Sequence, residues 1–225
     1  VAVTGSNGKT TVKEMIASIF TKAVLHQLNS EIGSPIDKVL ATIGNLNNDI
    51  GVPLTLLKLR QQHAYAVVEM GMNHAGEIAY LTRLAKPDIA VITNAGAAHI
   101  EGLGSIESVA HAKGEIFQGL GKSGVAVINA DDDYAQLWYQ LAGNRRVISF
   151  GLNSKAQVRA DCHSLASNNK WILKFPEGES EIELQVLGRH NVMNALAAAS
   201  VALGAGVNEH FISEGLSAFA GVKGR

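Results

Sequence analysis

Apolar residues in the first two thirds of the chain fall into short runs separated by longer amphipathic stretches. The runs Val1–Val3, Val39–Ile43, Ala64–Glu69, Asp88–Thr93, Gly124–Asn129 and Arg146–Phe150 are nearly continuous in apolar side chains. That is the pattern of parallel strands covered on both faces. Between them, Lys9–Phe20, Val52–Leu59, Gly76–Ala85, Ser105–Leu120 and Asp132–Ala142 carry helical spacing. Strand and helix in alternation predict an α/β fold with a doubly wound, mostly parallel sheet. From Gln157 to Leu187 the period shortens. Val158, Trp171–Phe175 and Ile182–Val186 read as short alternating strands joined by polar turns, so a small antiparallel sheet is expected to flank the main one. Two helices, near His190–Leu203 and Asn208–Phe219, complete the pattern. The long connection Val24–Lys38 contains the turn signal Gly33-Ser-Pro35 and reads as a surface insertion.

Composition narrows the function classes. Hydrophobic residues make up 47% of the 225, and charged residues, at 17%, fall below the roughly 25% of an average domain. The formal net charge of −1 supplies no field to draw the protein onto nucleic acid or an anionic membrane. Cys162 is the single cysteine, so no intrachain disulfide forms and a reducing cytoplasm is the expected home. No apolar run reaches the roughly 18 residues that span a bilayer, and no membrane insertion is expected. Val1 opens directly on a strand and Arg225 follows a helix closely. A middle domain of a longer polypeptide is the expectation, a trimmed whole protein the alternative.

The candidate chemistry starts at Thr4-Gly-Ser-Asn-Gly-Lys-Thr-Thr11. Gly5 and Gly8 let backbone N–H groups turn inward around a phosphate, and a helix beginning near Lys9 adds positive potential. Lys9 can reach the β- and γ-phosphates and the Thr10 hydroxyl can ligate Mg²⁺, while Val3 stands where the usual motif has its first glycine. Glu69 ends an apolar strand, and in an open α/β sheet such ends face the ligand crevice. It is either a ligand for a hard cation or an ordinary strand-end charge turned to solvent. His99 follows the next strand in a Gly/Ala loop and is open between a structural and a functional role. Lys113 interrupts the apolar stripe Ile106, Val109, Ala110, Phe117, Leu120, so it either snorkels, paired with Glu115 or Glu69, or is buried at a site. Burial would lower its pKa and leave a neutral amine. Asp131-Asp132-Asp133 is read as the cap and first turn of a helix rather than a metal cluster.

Together these residues resemble the central ATP-binding domain of the Mur ligase family of peptidoglycan synthesis. The resemblance rests on Thr4–Thr11, Gly44-Asn-Leu-Asn-Asn-Asp-Ile-Gly-Val-Pro53, Glu69-Met-Gly-Met-Asn-His-Ala-Gly-Glu-Ile78, Ala97-Ala-His99, Ala112-Lys-Gly-Glu-Ile-Phe117, Asn129-Ala-Asp-Asp132 and Gly188-Arg-His-Asn-Val-Met-Asn-Ala195. The second and third stretches resemble the branch that adds D-Ala-D-Ala to a UDP-N-acetylmuramoyl-tripeptide. The resemblance implies a P-loop α/β domain over residues 1–225, with ATP and Mg²⁺ as cofactors. It also implies an N-terminal domain for the UDP-sugar and a C-terminal Rossmann-like domain for the amine, both outside this chain. Gly5, Ser6, Asn7, Gly8, Lys9, Thr10 and Thr11 would hold the nucleotide phosphates, with Arg225 reaching them and Asn191 and Asn194 on the adenine side. Thr10 and Glu69 would hold one Mg²⁺, and His99 with a carbamylated Lys113 the other. Asn45, Asn47 and Asn48 either bind the muramoyl-peptide or shape their loop. The implied reaction converts a carboxylate to an acyl phosphate, which an amine then attacks. Two other classes stay open: another amide ligase of the folylpolyglutamate synthase type, and a P-loop nucleotidase or switch.

Overall fold

The computed structural model describes residues 1–27, 35–98, 100–153, 155–161 and 170–222. Strands β1 (Ala2–Thr4), β2 (Val39–Ala41), β3 (Tyr65–Glu69), β4 (Ile89–Ile92), β5 (Val125–Asn129) and β6 (Arg146–Gly151) fall where the apolar runs predict. Strands β7 (Val158–Ala160), β8 (Lys170–Lys174) and β9 (Glu179–Glu183) follow, and the sheet order is β2-β3-β1-β4-β5-β6-β7-β8-β9. Pairing is parallel from β2 through β7 and antiparallel from β7 to β9. The expected antiparallel strands therefore extend the edge of the main sheet. The last strand lies three residues earlier than its apolar run suggested, because pairing Trp171 with Ile182 puts both side chains into the core and turns Glu181 and Glu183 outward.

Alternation along each parallel strand divides its side chains between two cores. Val3, Val67, Val91 and Val127 face one of them, beneath α1 (Lys9–Gln27), α7 (Arg189–Gly204) and α8 (Glu209–Ser217). Ala2, Val68, Ala90, Ile92, Ala126 and Ile128 face the other. That second face carries α2 (Gly51–Leu56), α3 (Glu77–Ala85), α5 (Ile106–Gly114) and α6 (Ala135–Ala142), with the short α4 (Ile100–Leu103) leading into α5. Trp171, Leu173 and Ile182 add only to the first core, so the antiparallel extension is buried on one face. No helix among the described residues is long and apolar enough to cross a membrane.

Helix α2 stops at Leu56 and α6 starts only at Ala135, and two further helical predictions change more. The stretch Ser105–Leu120 ends as an α-helix at Gly114 and continues as a 3-10 turn over Glu115–Gly119. Glycine is a poor helix former, and its missing side chain admits Leu141 of α6 against the backbone. Helix α1 runs on to Gln27, and Pro35–Lys38 forms a 3-10 turn, so the ends of the expected insertion are helical while 28–34 lie outside the described residues.

The strand order places β1 between β3 and β4. The chain goes from β1 to the edge strand β2, returns inward to β3, then crosses to β4 on the other side of β1. Ligands of open α/β sheets bind at such a reversal, outside the carboxyl ends of the strands. The loop after β1 opens there.

Candidate active site

Gly5 has φ 152° and Gly8 φ 81°, conformations that favour glycine. Space reinforces the choice. A Cβ on Gly5 would collide with the Thr93 hydroxyl, and one on Gly8 with the Asn194 amide oxygen. The loop is braced on the segment after β4. Ser6 N–H donates to Asn94 O (3.0 Å), Asn7 N–H to Asn94 Oδ1 (2.9 Å) and Gly96 N–H to Ser6 Oγ (2.9 Å). Thr93 Oγ1 donates to Asn7 O at 2.6 Å. Lys9 Nζ lies over the loop and donates to Gly5 O (2.8 Å) and Ser6 O (3.4 Å). Helix α1 starts at Lys9, so its positive end points into the loop.

Beyond this first brace lies a second. Asn129, the last residue of β5, donates from Nδ2 to Thr93 O at 2.9 Å. Asp132 accepts from Ala95 N–H (2.9 Å) and Tyr134 N–H (3.0 Å), and Asp131 from Leu152 N–H (2.6 Å) and Asn153 N–H (3.1 Å). Helix α6 begins only at Ala135, so these carboxylates tie loop ends together rather than capping it. Burial raises the Asp132 pKa, against the lowering pull of its two N–H donors.

Register sets Glu69 beside Val3, at the carboxyl edge of the sheet. Its side chain is 2% exposed, which removes the solvent-facing alternative. One oxygen, Oε1, accepts from Asn47 Nδ2 at 2.8 Å; the other, Oε2, is buried and has no hydrogen-bond partner. A carboxylate oxygen left unpaired in a buried place is costly unless a cation meets it. Glu69, with the buried Thr10 on the phosphate-loop helix, fits a hard cation such as Mg²⁺. No cluster of three acidic, histidine or cysteine ligands occurs among the described residues.

Lys113 is 1% exposed, as the apolar stripe predicts. Neither suggested partner pairs with it: Glu115 accepts from Gly76 N–H (2.8 Å) and Ala79 N–H (3.1 Å) at the start of α3, and Glu69 is engaged by Asn47. Burial, reinforced by the nearby charge of Lys9, lowers the Lys113 pKa to about 7.

On the other side of the loop a cleft of about 620 Å³ lies between the carboxyl edge of the sheet and α7. Asn7, Gly8, Thr11, Asn94, Asn191 and Asn194 line its polar side, and Val186, Met193, Phe219 and Val222 its apolar side. Asn191 Nδ2 donates to Leu187 O (2.8 Å), and Asn194 Nδ2 to Asn191 Oδ1 (3.3 Å). Gly188 holds the N-cap position of α7, and Asn191 lies in the first turn of that helix. A phosphate-binding loop that opens into a half-apolar cleft suits a nucleotide.

The Mur ligase middle-domain profile matches residues 3–202. This chain belongs to the Mur ligase family. The UDP-N-acetylmuramoyl-tripeptide–D-alanyl-D-alanine ligase of Haemophilus influenzae is 45% identical over 225 residues, which are all of this chain and 47% of that protein. The Escherichia coli ligase of the same name is 43% identical, again over the whole chain and 47% of its own length. Among solved structures, MurF from Acinetobacter baumannii superposes with a TM-score of 0.88 at 39% identity, covering the whole chain and 46% of that one. A Thermotoga maritima MurF ligase solved with ADP gives 0.79 at 27% identity, covering 100% and 49%. The chain thus spans about half the length of the relatives it matches.

Within this Mur ligase domain the sequence-predicted residues divide clearly. Asn7, Gly8, Thr11, Asn191 and Asn194 line one cleft, Glu69 sits beside Val3 at the carboxyl edge of the sheet, and Lys113 is buried within reach of the Lys9 charge. Of the asparagines, Asn47 orients Glu69, Asn48 shapes its loop by accepting from Gly51 N–H (2.8 Å), and Asn45 is exposed. His99 and Arg225 lie outside the described residues. Sequence reasoning missed Thr93, Asn94, Asn129 and the brace formed by Asp132, along with the apolar half of the cleft. Asn94 stands directly after a β4 run and carried a readable signal. Met193 and Phe219 carried none, since apolar residues on helices read as core.

Proposed function

We propose that this chain is the ATP-binding central domain of a ligase that joins D-Ala-D-Ala to UDP-N-acetylmuramoyl-tripeptide in peptidoglycan synthesis, in the cytoplasm. Domains outside residues 1–225 would hold the UDP-sugar and the incoming amine. The observation that carries this reading is the unpaired, buried Glu69 Oε2 at the edge of a braced phosphate loop, in a chain 45% identical to a ligase of that name.

A carboxylate is a poor electrophile. Its oxygen attacks the γ-phosphorus of ATP and ADP leaves, giving an acyl phosphate. The amine nitrogen then attacks the carbonyl carbon, and the tetrahedral intermediate expels inorganic phosphate as the nitrogen loses a proton. Positioning and charge neutralisation supply most of the catalysis in the first step. The Lys9 ammonium and the α1 N-terminus would meet the phosphates, and Arg225 would add a second cation to them. Thr10 and Glu69 would hold Mg²⁺, which would supply charge neutralisation for the phosphoryl transfer. Asn47 fixes one Glu69 oxygen by its hydrogen bond, and Asn191 and Asn194 would hold the adenine side. At a pKa of about 7 much of Lys113 is neutral, and its nitrogen can add to CO₂ with loss of a proton. The resulting carbamate, with His99, would hold or orient a second cation. Asn45, exposed beside Asn47, is the asparagine best placed to meet the muramoyl-peptide.

The test is product formation by the full-length polypeptide supplied with ATP, Mg²⁺, UDP-N-acetylmuramoyl-tripeptide and D-Ala-D-Ala. One ADP and one phosphate should appear per amide, and continued turnover of ATP should require both peptide substrates. ATP hydrolysis indifferent to those substrates would favour the nucleotidase class, and glutamate addition to a folate the folylpolyglutamate synthase type.

A further inference from the structure

The chemistry above leaves one buried charge unused. Lys13 stands one turn beyond Lys9 on α1, and its side chain is fully buried. Its Nζ donates to the Thr42 carbonyl at 2.5 Å and meets Glu14 Oε1 at 2.7 Å. An ammonium taken out of water costs free energy that a methionine of similar length would not, so stability alone gives little reason to keep it.

What the ammonium grips is a junction. Thr42 follows β2 directly and is itself buried. Its N–H donates to Val67 O at 3.0 Å, and its hydroxyl oxygen accepts the Glu69 N–H at 2.9 Å. The chain then turns through the 43–50 loop. There Asn47 donates to Glu69 Oε1 at 2.8 Å and accepts Gly71 N–H on its own carbonyl at 2.7 Å. Glu69 is therefore held at its backbone and at one carboxylate oxygen by a single segment, which Lys13 anchors to α1. Thr10 lies on that same helix, three residues before Lys13.

We propose that Lys13 is a positioning residue for the cation site: by pinning Thr42 to α1 it sets the separation of the Thr10 hydroxyl from the Glu69 carboxylate, and so governs Mg²⁺ affinity in the nucleotide complex. The proposal rests on Thr10 and Glu69 as the cation's ligands. Residues that orient metal ligands from behind commonly change affinity by roughly 10–100-fold when altered. A purely structural lysine would instead weaken nucleotide binding with and without metal alike.

The experiment titrates Mg²⁺ against binding of a non-hydrolysable ATP analogue to the full-length polypeptide, by calorimetry, with a metal-free arm in chelator. Lys13→Met should raise the Mg²⁺ midpoint roughly tenfold and leave metal-free nucleotide affinity at the wild-type value. Lys13→Arg, which restores a cation, should recover part of the shift. Thr42→Val keeps the carbonyl that Lys13 grips but deletes the hydroxyl that receives Glu69 N–H, and should move the midpoint in the same direction. An unchanged midpoint in folded Lys13→Met, or equal losses with and without Mg²⁺, would overturn the proposal. Should Lys13→Met fail to fold, Lys13→Gln, which also removes the charge, decides, and no shift there overturns it. Glu69→Gln is run beside them: if it leaves the Mg²⁺ dependence intact, the ligand assignment itself fails and takes the proposal with it, a result distinct from failure at Lys13.

Discussion

The Lys113 amine lies within reach of the Lys9 charge, and the environments of the two lysines separate their roles. Lys113 is buried and its pKa falls from near 10.5 to about 7, so between those values the folded protein binds fewer protons than the unfolded chain. Stability should therefore rise with pH across that window and be flat, on this residue's account, below it. Thermal and denaturant unfolding followed from pH 7 to 10, without nucleotide and with CO₂ removed, should show a slope approaching about 1.4 kcal/mol per pH unit that Lys113→Met lacks. Equal slopes in the two proteins would mean the amine keeps its proton when buried. Lys9 instead lies over the loop carbonyls, where a phosphate would replace them as partner. Lys9→Ala should weaken ATP binding by about 2–4 kcal/mol in calorimetry, the scale for losing one partner of a desolvated charge pair. Wild-type affinity in the folded variant would remove the phosphate-loop assignment.

Helices α1 and α8 cross in near backbone contact, and that contact is an element-level condition for the cleft. A Cβ at Gly215 would collide with the Ile19 backbone, and Ser18 Oγ donates to Gly215 O at 2.7 Å across the crossing. Gly215→Val must push α8 away from α1. Urea unfolding should register a loss of about 1–3 kcal/mol, the usual cost of overpacking. Nucleotide affinity should fall as well, because Phe219 and Val222, which line the cleft, follow α8 directly. Unchanged stability would mean that the helices reseat without strain. The opposite face shows why periodicity alone misjudges an element. The apolar stripe from Val109 to Leu120 is real, yet the α-helix stops at Gly114, where Leu141 of α6 fills the space over the backbone. Only the neighbouring helix supplies that reason.

At the scale of the molecule, the described residues provide a nucleotide half-site. The phosphate loop, the cleft and the Glu69 carboxylate gather at one reversal of strand order, while Asn45 on the adjoining loop is exposed. The chain also spans about half the length of its relatives. Residues 1–225 alone should therefore bind a Mg²⁺-ATP analogue yet form no amide from UDP-N-acetylmuramoyl-tripeptide and D-Ala-D-Ala, as judged by mass spectrometry of the products. Amide formation by this chain would show that the peptide and amine sites lie within it.

Much of this was legible along the chain, and physics explains which part. A strand covered on both faces must be apolar at consecutive positions, so β1 and β3 to β6 announce themselves. A phosphate cradle is built from adjacent residues, so Gly5 to Thr11 could be read directly, and a lysine set in an apolar stripe already said that Lys113 is buried. These are short-range requirements, met by neighbours in sequence. Tertiary structure alone decided the rest. The placement of β1 between β3 and β4, the joining of β7 to β9 onto one continuous sheet, and the apolar wall from Val186 and Phe219 depend on packing between distant segments. So do the bonds from Asn47 to Glu69, from Thr93 to Asn7 and from Lys13 to Thr42, whose partners lie 22, 86 and 29 positions apart. Whether a buried carboxylate oxygen keeps a partner is settled by what the fold brings beside it, and around Glu69 the fold leaves Oε2 without one.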